Sequence, residues 1–172
     1  LDELLLSANP FGCKGLESVL FPIDLSICRT RMLKRLCLAH VSLKDEGIEV
    51  LARAFEEGWL VVKDLDVSWV KMGSKGFQSL TKALRKVARR QLENPLEQGH
   101  AYALTELDLS YNYSPKTRVD FDEFLKPGTF PCLKKLDLCH SGVITADFAR
   151  LAKAIKDLRL PTIETVKFQN SE

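Results

Sequence analysis

The chain has 172 residues, 45% of them hydrophobic, which is enough to bury one sizeable core, and its 25 basic and 23 acidic residues leave a net charge of only +2. That balance is too small to argue for nucleic acid or a membrane surface as a partner. No run of about 18 consecutive apolar residues occurs, so no membrane span is expected.

The clearest pattern lies in mid-chain, from Leu104 to Asn112, where the sequence reads Leu-Thr-Glu-Leu-Asp-Leu-Ser-Tyr-Asn. Leu107 and Leu109 alternate with Asp108 and Ser110, as in a short strand with one buried and one solvated face. Leu104 fills the core ahead of the strand, and Asn112 stands where the chain must turn, with an amide able to satisfy backbone groups left unpaired there.

The same template fits six times. The copies are Leu1, Leu4, Leu6, Asn9; Leu33, Leu36, Leu38, Val41; Val62, Leu65, Val67, Val70; the stretch above; Leu133, Leu136, Leu138, Ser141; and a partial Ile163, Val166, Phe168. Their first positions are 32, 29, 42, 29 and 30 residues apart, which leaves room for a helix between strands. One copy cannot bury its apolar face alone, so the copies should stack in a single domain over 1–172. Because Leu1 already lies inside a copy, we expect the chain to be part of a longer protein.

In chain order, the first helix follows Pro10-Phe11-Gly12 and carries Leu16, Val19 and Leu20 until Pro22 stops it. An apolar-polar alternation at Ile23, Leu25 and Ile27 suggests an extra extended piece. The second helix opens with Asp45 and Glu46, favourable at a helix start, buries Ile48, Leu51 and Phe55, and stops near Gly58. The third starts near Ser74 and is longer than the others, with Phe77, Leu80, Leu84, Val87 and Ala88 on one face. Its basic end, Arg85 to Arg90, reads either as a contact for an acidic partner or as a solvated helix terminus.

After an insertion from Tyr113 to Asp120, a short helix carries Phe121, Phe124 and Leu125 and ends at Pro127-Gly128. The last helix is expected to take Thr145 as its N-cap and to turn Phe148, Leu151, Ile155 and Leu158 inward. Five cysteines, Cys13, Cys28, Cys37, Cys132 and Cys139, are an odd number without zinc or disulfide spacing, so reduced thiols and a cytoplasmic setting are expected.

Strands of this template, helices between them, and a glycine-apolar pair six positions after Asn9, Val41 and Val70 (Gly15-Leu16, Gly47-Ile48, Gly76-Phe77) together resemble leucine-rich repeat proteins of the ribonuclease-inhibitor-like subclass. The last full copy departs, with Asp147-Phe148 at that place. The resemblance implies an α/β solenoid of about five to six repeats, curved, with parallel strands on the concave face and helices on the convex face. It implies protein binding rather than chemistry. Members include activators of Ran-type GTPases and actin-cytoskeleton regulatory scaffolds, which stand as alternative functions.

Stacking the copies turns side chains into columns. His40, Trp69, Tyr111 and His140 fall in one, and Asp64, Asp66, Glu106 and Asp108 form the centre of the floor beside it. Exposed Trp and Tyr beside fixed charge are residues that dominate interface energetics, so these eight are the candidate partner-binding residues, suited to a basic, partly apolar protein segment. The competing reading is ordinary filling of the repeat. The floor is on the order of 400 Å², below the roughly 800 Å² per partner of a typical stable interface, so neighbouring loops such as Tyr113 to Asp120 would have to contribute.

No catalytic residue, metal or cofactor is expected. His40 and His140 lie three strands apart, some 14 Å at strand spacing, too far to share a metal ion. Cys139 and His140 are adjacent on a strand and point to opposite faces.

Overall fold

A computed structural model describes residues 1–21, 31–93, 103–112 and 120–169. The expected extended piece at Ile23 to Ile27, His100 and nearly all of the Tyr113 to Asp120 insertion lie outside the described residues. The chain is α/β: six strands form one all-parallel sheet in sequential order, and five helices follow among the described residues. The strands are β1 (Glu3–Leu5), β2 (Arg31–Cys37), β3 (Leu60–Asp66), β4 (Glu106–Asp108), β5 (Lys135–Asp137) and β6 (Thr165–Lys167). The helices are α1 (Gly12–Leu20), α2 (Lys44–Glu56), α3 (Ser74–Glu93), α4 (Phe121–Phe124) and α5 (Thr145–Lys156).

Register follows the apolar pattern without a slip. Leu4, Leu36, Leu65, Leu107, Leu136 and Val166 are Cα partners across the sheet, each flanked by residues of the opposite face. A one-residue shift would turn every one of these side chains from core to solvent, so the core itself enforces the alignment. On the core side they join one hydrophobic cluster with Leu16, Ile48, Leu51, Phe55, Phe77, Leu80, Phe124 and Leu151. Helices pack on one another in chain order, α1 on α2, α2 on α3, α3 on α4 and α4 on α5.

The parallel ladder continues past the strand ends. Leu38 N donates to Asp66 O at 2.8 Å, His40 N to Ser68 O at 3.1 Å, Trp69 N to Ser110 O at 3.1 Å, Tyr111 N to Cys139 O at 2.8 Å and His140 N to Gln169 O at 2.7 Å. At the turn itself, Asn112 is buried; its Nδ2 donates to the carbonyls of Val67, Leu109 and Ser110, and its Oδ1 accepts from Val70 N and Met72 N. This is the structural role expected of it. Ser141 does less with one hydroxyl, which donates to Leu138 O at 2.6 Å.

Two expectations for the last helix are corrected. Its N-cap is Ile144, not Thr145, and the capping bond comes from Asp147, whose Oδ2 accepts from Ile144 N at 3.1 Å. The inward stripe is Asp147, Leu151 and Ala154, whereas Phe148, Ile155 and Leu158 are exposed. The reason is helical phase: positions 147, 151 and 154 are also one stripe at helical spacing, and docking chose that stripe. Phe148 instead meets Phe168 edge-on, with centroids 4.6 Å apart.

Two arginines of the basic end of α3 are engaged internally, while Arg89 is exposed. Arg85 donates to Thr129 Oγ1 at 3.1 Å, to Glu123 Oε1 at 2.5 Å and to Glu123 O at 2.5 Å, tying α3 to α4. Arg90 caps the end of α2 through Glu56 O at 2.6 Å and Phe55 O at 3.4 Å, where a cation suits the exposed carbonyls. Among the described residues no helix is long and apolar enough to cross a membrane.

Candidate functional site

Where each of five strands ends, the chain turns through a residue in the left-handed region: Ala8 (φ 58°), His40 (58°), Trp69 (55°), Tyr111 (57°) and His140 (51°). Such a conformation costs a non-glycine residue on the order of 1 kcal/mol or more. The N–H of each is spent on a carbonyl just past the end of the next strand, which holds the strained turn in place. One backbone conformation repeated at strand spacing sends these side chains off in parallel.

The result is a ladder of rings. His40 stacks on Trp69 with centroids 5.1 Å apart and planes at 19°, Trp69 on Tyr111 at 4.5 Å and 18°, and Tyr111 on His140 at 4.5 Å and 26°. Each is a stacked pair in the favourable separation range. Trp69 and Tyr111 have both faces covered by neighbours, yet remain 46% and 42% exposed. They therefore present their edges to solvent, and no hydrogen-bonding partner to Trp69 Nε1 or Tyr111 Oη occurs among the described residues.

Beside the ladder lies the sheet face opposite the core, a trough lined by Arg35, Asp64, Asp66, Glu106, Asp108 and Asp137, together with Lys135 and Lys167. Three aspartates repeat one bond. Asp66 Oδ1 accepts from Ser68 N at 3.0 Å, Asp108 Oδ1 from Ser110 N at 2.9 Å and Asp137 Oδ1 from Cys139 N at 3.0 Å. One carboxylate oxygen of each thus steadies the strand end that leads into a ring. In two of them the second oxygen is also engaged: Asp66 Oδ2 accepts from Cys37 Sγ at 3.1 Å and Asp137 Oδ2 pairs with Lys167 Nζ at 3.3 Å.

Electrostatics sort these acids into two sets. Glu106 is paired with Lys135 at 2.5 Å, and Asp137 with Lys167 at 3.3 Å. Asp64, Asp66 and Asp108 form no salt bridge among the described residues. Burial pushes the Asp108 carboxyl above its ordinary value, and the charges of Asp66 and Asp137 on either side add to this against the hydrogen bonds from Ser110. For Asp137, burial acts upward but hydrogen bonds from Cys139 and the Lys167 ammonium win, and its carboxyl is held low.

All eight residues expected at the site come to this surface, four in the ladder and four in the trough. Not anticipated from the residues is that Lys135 and Lys167 neutralise the side toward β6, through Glu106 and Asp137. Cys37, buried on the same face, has its Sγ 2.9 Å from Ser7 Oγ and donates to Asp66 Oδ2 at 3.1 Å. Burial, first of all, raises the Cys37 thiol, and the Asp66 charge adds to it, which makes Cys37 a poor nucleophile. Among the described residues no three His, Cys, Asp or Glu side chains are grouped to hold a metal ion.

No model of a known protein family and no curated protein matches this sequence.

Proposed function

We propose that the chain is a leucine-rich repeat solenoid of the ribonuclease-inhibitor-like subclass and serves as a protein-interaction module, taking a basic, partly apolar segment of a protein partner on its concave, strand-lined face. The observation that carries this reading is the exposed ring ladder running alongside three carboxylates that form no salt bridge among the described residues, Asp64, Asp66 and Asp108. Apolar ring edges supply buried area on binding, and lysine or arginine from the partner supplies the counter-charge that Lys135 supplies to Glu106. The sequential parallel strands and the unbroken register of the leucine column support the repeat reading. The cytoplasmic setting expected from the cysteine count belongs to the same proposal.

The test compares capture from a cell extract by the wild type, by Trp69→Ala/Tyr111→Ala and by Asp66→Asn/Asp108→Asn, with circular dichroism to check the fold. A partner bound through a Lys- or Arg-bearing segment should be lost in the first variant, and should bind more weakly and with less salt dependence in the second. Equal capture by all three would overturn the reading.

A further inference from the structure

The ring ladder stops one position short of the sheet. Ala8 has the same left-handed backbone as His40, Trp69, Tyr111 and His140, and it donates its N–H to Ala39 O at 2.9 Å, as His40 donates to Ser68 O. Strand pairing of Leu5 with Cys37 puts Ala8 in line with His40. At this rung, however, the side chain is a methyl. Among the described residues the face of His40 turned away from Trp69 therefore has no ring against it, and an open hollow lined by Ala8, Asn9, Pro10, Gly12, His40 and Ser42 lies there.

We infer that this hollow is a vacant rung that takes an aromatic side chain of a protein partner, stacked on His40 as the fifth ring of the ladder. The geometry of the occupied rungs defines the fit, a planar ring at about 4.5 to 5 Å from the next, parallel to it. The lining holds no carboxylate among the described residues, so it favours a neutral ring over a guanidinium. The carboxylates Asp64, Asp66 and Asp108 on the adjoining face repel phosphate, which sets a protein ring ahead of a nucleobase. This inference rests on reading the ladder as an interaction surface, but its test uses an isolated ring, so an empty slot and a failed partner capture are told apart.

The experiment is an amide-resolved NMR titration of the whole chain with N-acetyltryptophanamide, against N-acetylleucinamide and adenosine monophosphate, on the wild type, Ala8→Trp and His40→Ala. The expected result is that tryptophanamide shifts the amides of Ala8, Asn9, His40 and Ser42 and binds about 2- to 12-fold more tightly than leucinamide, the worth of one stacked pair. Both substitutions should abolish that preference, the first by filling the rung and the second by removing the ring beneath it. Equal binding of the two amides, tighter binding of the nucleotide, or an unchanged response in Ala8→Trp would overturn the inference. Should Ala8→Trp fail to fold, His40→Ala decides, since a retained preference without the imidazole also refutes the slot.

Discussion

Asp45 and Gly76 are fitted to one another: the carboxylate Oδ1 of Asp45, in the first turn of α2, accepts the backbone N–H of Gly76 at 3.0 Å and that of Gly73 at 2.6 Å, so one helix caps the start of the next. A Cβ on Gly76 would lie 2.6 Å from that same oxygen. The glycine is there for room.

Gly76→Ala should therefore destabilise the protein by about 1–3 kcal/mol despite the better helix propensity of alanine. Asp45→Ala should cost about 1–2 kcal/mol as a lost cap. In the Asp45→Ala background the closest approach at 2.6 Å is gone, and the next atoms the Cβ at 76 meets are Met72 Cγ at 3.1 Å and the Cα of residue 45 at 3.3 Å. Its cost should shrink, and the two changes should be clearly non-additive in urea unfolding. Additive losses would mean that the carboxylate is not what excludes the Cβ.

Asn112 satisfies three carbonyls and two N–H groups from a buried position. Asn112→Ala leaves several of these without a partner and should lower stability by about 2–4 kcal/mol. Asn112→Asp should be at least as damaging at neutral pH, because a carboxylate would face three carbonyl oxygens. Both are measured by chemical denaturation.

Arg85 should matter more than its neighbour Arg89. The Arg85–Glu123 pair is largely shielded from solvent and adds contacts to Thr129 and to a backbone carbonyl. Arg85→Ala should cost about 1–3 kcal/mol, and Arg85→Lys should restore only part, since an ammonium cannot reproduce the fork. Arg89 is exposed, and Arg89→Ala should change stability by less than about 0.5 kcal/mol. Thermal or urea unfolding of the three variants distinguishes them.

Asp108 should leave a signature in the pH dependence of stability. Its carboxyl is held above the ordinary value of 3.8 in the folded chain, so the native state binds the proton more tightly than the unfolded state. Its contribution is fully favourable below pH 3.8 and is lost as pH rises through the raised folded value. Asp108→Asn removes this dependence. The variant should gain on the wild type between that pH and neutrality, and the gain should vanish on acidification. Urea midpoints from pH 3 to pH 7 provide the check. A constant difference across that range would assign the effect to something other than this titration.

Much of the architecture was legible in the residues alone, because strand alternation and the six copies of one nonapeptide are short-range patterns. Leu4, Leu36, Leu65, Leu107, Leu136 and Val166 align in the sheet as the template aligned them, and the same alignment of residues puts His40, Trp69, Tyr111 and His140 in one column. What only the tertiary structure decided was the use of the long polar side chains and the phase of the last helix. Lys135 chose Glu106, Arg85 chose Glu123, Arg90 chose the end of α2, and Asp45 reached past its own helix to the next. In α5 two stripes competed, and the core took Leu151 and Ala154 beside Asp147 while leaving Phe148 outside. Alternation is imposed by the backbone of a single strand and is written locally. A salt bridge or a helix's rotation about its axis is settled between residues some 30 positions apart, by side-chain reach and packing that no local period records.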